Sequence, residues 1–311
     1  MRVLVVGAGV TGLTCAVVAA ERGHHVDVLA RDLPLETTSA VAAAWWYPYL
    51  AEPVDRVLGW SRRTYEVLAD LSDSETGAGV TMRRSVELLA EPSPEPWWSG
   101  AVRSLEALRE VPAGFHAGRV FEAPVAHMPT YLDYLVRRLA SSGGTLTRMA
   151  LSTLPVGADV VVNASGLGSR LLAGDASTTP VRGQVLRLPA IAGVDDVVLA
   201  DDADTTTYVI PRGDDVIVGG TSESGVWDLA PRDADTAAIL TRAIRIVPEL
   251  EGAPVLGVRV GLRPARPMVR LEREARTDAS PVVHCYGHGG AGITTSWGCA
   301  DEVASLLEAQ G

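Results

Sequence analysis

Cysteine is scarce in this 311-residue chain: only Cys15, Cys285 and Cys299 occur, and no two form a CxxC pair. So sparse and odd a set excludes a disulfide-built scaffold and fits a reducing compartment. Basic clusters are also missing. Lys and Arg number 27 against 38 Asp and Glu, the net charge is -11, and no basic block appears. Nucleic acid and anionic membranes each need a basic face, so neither is an expected partner. Long apolar runs are absent too. The stretch Ala40–Trp46 is too short to span a bilayer. The apolar opening is interrupted by Gly7, Gly9 and Gly12, which speaks against a signal peptide. No repeat or low-complexity segment is visible. Among the histidines, His127, His284 and His288 have no metal-ligand partner at helical spacing, so no metal is expected. His288 lies between glycines and reads as an imidazole bonded to its own loop, while Cys285 and Cys299 read as small core residues. No side chain stands out as a general base.

What is present is an ordinary globular composition, 47% hydrophobic and 21% charged, long enough for two domains. Arg2–Val6 reads as a buried strand, Leu13–Arg22 as a helix stopped at Gly23, and Val26–Leu29 as a second strand. Between the first two lies Gly7-x-Gly9-x-x-Gly12. Glycines at this spacing, after a strand and opening a helix, place a dinucleotide pyrophosphate on free backbone amides. The acidic residue that usually ends the second strand and holds a ribose is missing: Ala30 stands there, followed by Arg31 and Asp32. That is awkward for a nicotinamide cofactor, although Arg31 suits a 2′-phosphate. FAD is the expected ligand, and an NADP-linked reductase is the alternative.

A second device of the same kind sits near the C-terminus. Cys285-Tyr286-Gly287-His288-Gly289-Gly290-Ala291-Gly292-Ile293-Thr294 reads as a strand ending in a glycine loop that opens a helix. Amides from Gly292 to Thr295, aimed at a reduced flavin, would stabilise its negative charge. Arg263, between Gly261 and Pro264, sits on stiff backbone at a strand end, where a fixed guanidinium fork suits a carboxylate. A solvated edge arginine is the plain alternative, and for Tyr208 a half-buried aromatic with its hydroxyl at the surface.

The remaining elements divide in texture. Ser61–Leu71 reads as a helix with Ser61 as N-cap, and Thr130–Asp133 as a capping box before a helix with Leu132, Leu135, Val136 and Leu139 on one face. Glu91–Pro96 reads as a surface loop, Asp159–Asn163 as a covered parallel strand, and Asp233–Val247 as a helix closed by Pro248. Val185–Leu188, Thr207–Ile210 and Val216–Val218 read as antiparallel strands, the last two joined by a hairpin at Gly213-Asp214-Asp215. The expected class is α/β, with two interleaved domains: residues 1–58, 130–180 and 258–311 bind the cofactor, and 59–129 and 181–257 bind substrate.

Four segments together resemble the D-amino acid oxidases, in that family's order and across the whole chain. They are Thr37–Tyr49, Tyr208-Val209-Ile210-Pro211, Gly261–Pro267 with Val269–Glu272, and His288–Thr294 before Trp297-Gly298-Cys299-Ala300. The resemblance implies a glutathione-reductase-type, Rossmann-like FAD domain interleaved with an α+β substrate domain on an antiparallel sheet. It implies FAD contacts at Gly7, Ala8, Gly9, Val10, Thr11, Gly12, Arg31, Asp32, Thr37, Thr38, Ser39, Ala43, Ala44, Trp45, Met149 and Ser165. Gly289, Gly290, Gly292, Ile293 and Thr294 then close around the flavin. Arg263 matches the arginine that pairs with the substrate carboxylate, Tyr208 a tyrosine bonded to the same group, and Gly290 the glycine whose carbonyl receives the amine. The implied partners are a small D-amino acid and O2, and a homodimer is compatible. Glycine or sarcosine oxidases and D-aspartate oxidases are the related alternatives.

The chain departs from the pattern. A second, lid tyrosine is replaced by Asp204, and Ala44 and Ala291 stand where a glycine and a tyrosine are common. Tyr47 stands where D-aspartate oxidases select an acidic side chain, so neutral or apolar substrates are expected. The final residues Ala309-Gln310-Gly311 are not a peroxisomal tripeptide, so a bacterial, cytoplasmic protein is expected.

Overall fold

The computed structural model describes residues 1–49, 51–202, 205–277 and 279–309. Its elements begin with β1 (Arg2–Val6), α1 (Val10–Glu21), β2 (His25–Ala30), α2 (Thr38–Val41) and α3 (Val54–Ser74). There follow β3 (Val80–Leu89), β4 (Glu106–Ala107), β5 (Ala117–Ala126), α4 (Met128–Ser141), β6 (Thr145–Arg148), β7 (Val160–Asn163) and α5 (Ser169–Leu172). Next are β8 (Thr179–Pro189), β9 (Val197–Asp202), β10 (Thr205–Pro211), β11 (Asp215–Gly219), β12 (Glu223–Ser224) and α6 (Asp233–Ile246). The chain ends with β13 (Gly257–Glu274), β14 (Val282–His288) and α7 (Gly292–Glu308).

The strands form one sheet in the order β4-β5-β3-β9-β10-β11-β8-β13-β14-β7-β1-β2-β6, with β12 beside β8. From β14 to β6 all neighbours are parallel. Strands buried on both faces read as unbroken apolar runs, as Val160-Val161-Val162 does in β7. From β9 through β10, β11 and β8 to β13 the pairing is antiparallel. The two textures meet in β13. Its Gly257–Ala265 stretch pairs with β8, and Ala265 and Arg270–Glu274 pair with β14 across a register shift. Arg263 therefore stands at the joint between the parallel and antiparallel parts.

Helices α1, α4 and α7 cover the parallel strands around a core that includes Val5, Leu13, Leu135, Val162 and Trp297. The Trp297 indole donates to Tyr131 Oη at 2.8 Å in that core. A second core of Trp45, Trp46, Tyr65, Trp98 and Phe121 lies under the antiparallel part. No helix among the described residues is long and apolar enough to cross a membrane.

Three helix starts differ from the sequence reading, the first along the chain being α1, which begins at Val10 and not Leu13. Ser61 is interior to α3, not its N-cap. The helix opens seven residues earlier, where extended Pro53 precedes Val54 and the Glu52 carboxylate accepts the Val54 amide at 3.0 Å. The Ser61 carbonyl instead accepts the Trp46 indole at 3.0 Å. The expected boundary between residues 58 and 59 thus falls inside α3. Likewise α4 starts at Met128, so Thr130 lies in its first turn with its hydroxyl 2.7 Å from His127 Nδ1. Asp133 takes an ion pair with Arg137 rather than a capping bond. Pro129 in the first turn is the stronger start signal.

Candidate active site

The first glycine turn is shaped by close backbone approach. Gly7 has φ 115°, and a Cβ there would lie 2.4 Å from the Ala164 carbonyl oxygen. A Cβ on Gly12 would lie 2.0 Å from the Gly7 carbonyl oxygen, so only glycine lets α1 start against the end of β1. Within α1 the first helical bond runs from the Leu13 amide to Gly9 O at 3.0 Å, and Ser39 Oγ accepts the Val10 amide at 3.0 Å. The amides of Thr11 and Gly12 are left at the helix N-terminus, with the positive end of its dipole.

The second turn repeats the device. Gly287 and Gly289 have φ 86° and 54°, and the Gly289 amide ties the loop to Pro264 O at 2.9 Å. The Thr295 amide bonds to Ala291 O at 3.0 Å, so the free amides at the start of α7 are those of Gly292, Ile293 and Thr294. The expectation of a fourth free amide at Thr295 is corrected accordingly. The two helix starts adjoin: a Cβ on Gly292 would be 3.7 Å from Val10 Cγ1 and 4.0 Å from Thr11 Oγ1. The two ends of the chain thus bring two positive helix termini to one place.

The His288 carbonyl accepts the Ala291 amide of its own loop at 2.9 Å, whereas among the described residues its imidazole meets two cysteine thiols. Its ring is buried behind the turn, with Nε2 3.6 Å from Cys299 Sγ and 3.9 Å from Cys285 Sγ. The fold gathers one ligand atom of each within 4.8 Å, a proximity that sequence spacing did not suggest. All three cysteines are free and buried. The hydrogen bond to Cys15 lowers the Cys285 thiol, but the bond to Cys299 and burial raise it well above its ordinary value; the Cys15 thiol, hydrogen-bonded to Cys285 and buried, is raised as well. Burial lowers His288 to about 4. All three residues of this cluster are buried in the core behind the turn.

A cavity of about 1380 Å3 opens in front of both helix termini, larger than a typical single-ligand pocket and roomy enough for a dinucleotide with a substrate. Its wall includes every site residue expected from the sequence except Gly12 and Thr294. Gly12 is spent on the contact with Gly7. The Thr294 hydroxyl donates to Tyr47 O at 3.0 Å and accepts the Tyr47 amide at 3.1 Å, fixing the segment that carries Trp45 and Tyr47. Arg31 and Asp32, at the far end, are paired with each other at 2.6 Å. Thr38 Oγ1 donates to Leu262 O at 3.1 Å, which ties α2 to β13. Ser165 Oγ donates to Asn163 Oδ1 at 2.7 Å, and the Met149 side chain is 44% exposed on the rim. Ala44 has φ 59°, the left-handed region that favours glycine, so alanine is strained there.

On the other side of the cavity Arg263 Nη1 donates to Thr221 O at 3.1 Å. Among the described residues it has no acidic partner, whereas Arg266 in the same strand is paired with Asp175 at 2.9 Å. Loss of water pushes the Tyr208 phenol up, while the charge and hydrogen bond of Arg263 pull it down. The phenol is therefore a neutral donor beside an unpaired guanidinium, a fork suited to a carboxylate. Gly290 faces Tyr49, whose Cδ1 would be 2.6 Å from a Cβ at that position. Tyr47 stacks on Trp45 with ring centroids 4.7 Å apart and donates to the Glu87 carboxylate at 2.7 Å. Glu87 is buried and also pairs with Arg119 at 2.9 Å.

The sequence reading did not single out Tyr49, Leu199, Asp201 or Ile210, which also line this end. Alternation along β9 and β10 carries a signal for three of them: Leu199 and Asp201 share a face with Tyr208 and Ile210 through cross-strand pairs. Asp204 lies outside the described residues.

A family model described as FAD dependent oxidoreductase matches residues 2–306. A D-amino-acid oxidase of Rubrobacter xylanophilus is 49% identical over 99% of this chain and 96% of its own length. A D-amino-acid oxidase of Streptomyces coelicolor is 42% identical over 98% of this chain and 96% of its own. Among solved structures, glycine oxidase from Geobacillus kaustophilus superposes with a TM-score of 0.83 at 21% identity, covering 99% of this chain and 95% of that one, a likeness of fold. The chain belongs to the FAD-dependent oxidoreductase family, and FAD is its cofactor.

Proposed function

We propose that this protein is a D-amino acid oxidase acting on neutral or apolar D-amino acids. The observation that carries the reading is Arg263, a half-buried guanidinium without an acidic partner beside Tyr208, facing a cavity that two helix N-termini also face. The cavity suits FAD: glycines at 7 and 12 clear the backbone, and free amides at both helix starts favour negative charge. Residues Gly7–Gly12 would hold the pyrophosphate and Gly289–Thr294 the flavin, with Ala43–Trp45 and Ser165 between. The domains we propose are residues 1–58, 130–180 and 258–311 for cofactor, and 59–129 and 181–257 for substrate.

When bound, FAD would supply a two-electron acceptor that O2 reoxidises with release of hydrogen peroxide, and water hydrolyses the imino acid left by the D-amino acid to a 2-keto acid and ammonia. Arg263 and Tyr208 hold the substrate carboxylate by charge-assisted hydrogen bonds. The Gly290 carbonyl accepts from the amine and fixes which face of Cα is presented. Catalysis is then mostly positioning, which fits a cavity wall without a poised base. The wall around Tyr208 supports the substrate class: Leu199, Ile210, Trp45 and Tyr47 are apolar surfaces, and the Asp201 carboxylate repels an acidic side chain. Arg242, also on the wall, is engaged by Thr207 Oγ1 at 3.0 Å and Gly220 O at 3.1 Å.

Replacing Arg263 by alanine should raise KM for D-alanine on the order of a hundredfold, the worth of a charge-assisted pair. FAD should stay bound, because Arg263 lies at the substrate end. A normal KM would contradict the carboxylate assignment. Higher turnover with glycine or sarcosine than with D-methionine would favour a glycine-type amine oxidase instead.

A further inference from the structure

Two glycines, Gly183 inside β8 and Gly219 at the end of β11, lie directly beneath the carboxylate clamp. A Cβ on Gly183 in β8 would sit 2.4 Å from both Nη atoms of Arg263 and 2.5 Å from its Cζ. A Cβ on Gly219 in β11 would sit 2.3 Å from Cζ and 2.4 Å from the hydroxyl of Tyr208. Neither glycine has a positive φ. Glycine inside a strand weakens the sheet, and its usual structural use is to let another group approach.

The sheet order explains what approaches. The four strands run β10-β11-β8-β13, with Tyr208 on the first and Arg263 on the last. Three strand spacings separate these outer strands by roughly 14 Å. Side chains normally stand perpendicular to a sheet, which would keep the phenol and guanidinium apart. Here each lies flat across its inner neighbour. Tyr208 covers Gly219, its direct cross-strand partner. Arg263 pairs with Val181 and leans over Gly183, two residues further along β8. The two functional groups converge above the inner pair of strands, where the Arg263 charge acts on the Tyr208 phenol.

We propose that Gly183 and Gly219 are positioning residues of the carboxylate site. They are the bare floor on which Arg263 and Tyr208 lie down and converge, and a single methyl at either position lifts one arm out of reach. The inference rests on the clamp reading above and adds what assembles the clamp. At Gly183 the displaced atoms are the far end of a flexible side chain, so the methyl can be accommodated by moving the guanidinium, with little cost to folding.

The test uses the holoenzyme with Gly183→Ala, Gly219→Ala and Arg263→Ala. Gly257→Ala serves as control, since that glycine is in β13 with nothing within 4 Å of a built Cβ. Each clamp variant is expected to keep its flavin while KM for D-alanine rises on the order of ten- to a hundredfold, with kcat less affected. Benzoate binding, read by the flavin absorbance shift, should weaken in parallel, and Gly257→Ala should match the parent. Adding Gly183→Ala to Arg263→Ala should cost nothing more, because the methyl then meets no guanidinium.

Parental KM and benzoate affinity in both glycine variants, with Arg263→Ala impaired, would overturn the inference. A parental KM in Arg263→Ala would instead overturn the clamp reading itself. If Gly183→Ala alone failed to fold, folding restored by Arg263→Ala would support the shared space, and failure of the double variant would refute it.

Discussion

Replacing Gly12 by alanine places a methyl carbon 2.0 Å from the Gly7 carbonyl oxygen and 2.9 Å from its carbon. Both are backbone atoms of the turn that continues β1, so neither swings aside as a side chain would. The helix must retreat by roughly 1 Å before the contact becomes ordinary, and overpacking of this kind costs about 1–3 kcal/mol or more. Helix α1 is packed against α4 and α7 around Leu13, Leu135 and Trp297, which leaves little room for retreat. Against this, alanine in a helix is favoured over glycine by about 1 kcal/mol. The net loss is about 2 kcal/mol, or roughly 3 °C in Tm for a chain of this size. The same movement draws the Thr11 and Gly12 amides off their line, so FAD affinity should fall with stability. Gly9→Ala is the comparison: its Cβ would meet Ser39 Oγ at 3.1 Å, a rotatable hydroxyl, and the loss should be clearly smaller. Thermal melts by circular dichroism and FAD titration by fluorescence quenching measure both effects. If Gly12→Ala melted with the parent and bound FAD equally well, the close-approach account of the turn would be wrong.

Burial lowers His288 from 6.5 to about 4, so between those values the unfolded chain binds a proton that the native protein does not. Stability should therefore fall as pH drops through that window, by roughly 3 kcal/mol for His288 at full extent. Burial lowers His24, His127 and His284 as well, which adds in the same direction. Denaturant melts of His288→Gln should show a shallower decline below pH 6.5, and an unchanged slope would remove His288 from the cause. Ala44→Gly relieves a left-handed alanine and should raise Tm by an amount worth up to about 1 kcal/mol, with FAD retained. A lower Tm would show that the lost methyl packs more favourably than the backbone is strained.

Legibility in the sequence tracked how local each cause is. Both glycine turns are short-range devices, written in consecutive residues and built as the spacing implies, down to the first free amides. Arg263 between Gly261 and Pro264 was equally visible. Misread elements had nearby decoys. Ser61 is a good capping residue in a helix already begun at Val54, and Thr130 is one in a helix already begun at Met128. What no local reading reaches is contact across distant strands. The Tyr47–Glu87–Arg119 chain joins three separate segments. The seating of Arg263 on Gly183 and of Tyr208 on Gly219 depends on strand order, which only the folded sheet displays.

Mixing the yellow holoprotein with D-alanine under argon asks the decisive question in one step, because it requires cofactor, carboxylate site and stereochemistry together. The visible flavin bands should bleach with the D-enantiomer, persist with L-alanine, and return when O2 is admitted. Bands that stay unchanged with D-alanine and with a panel of neutral D-amino acids, or that bleach equally with the L-enantiomers, would contradict the account.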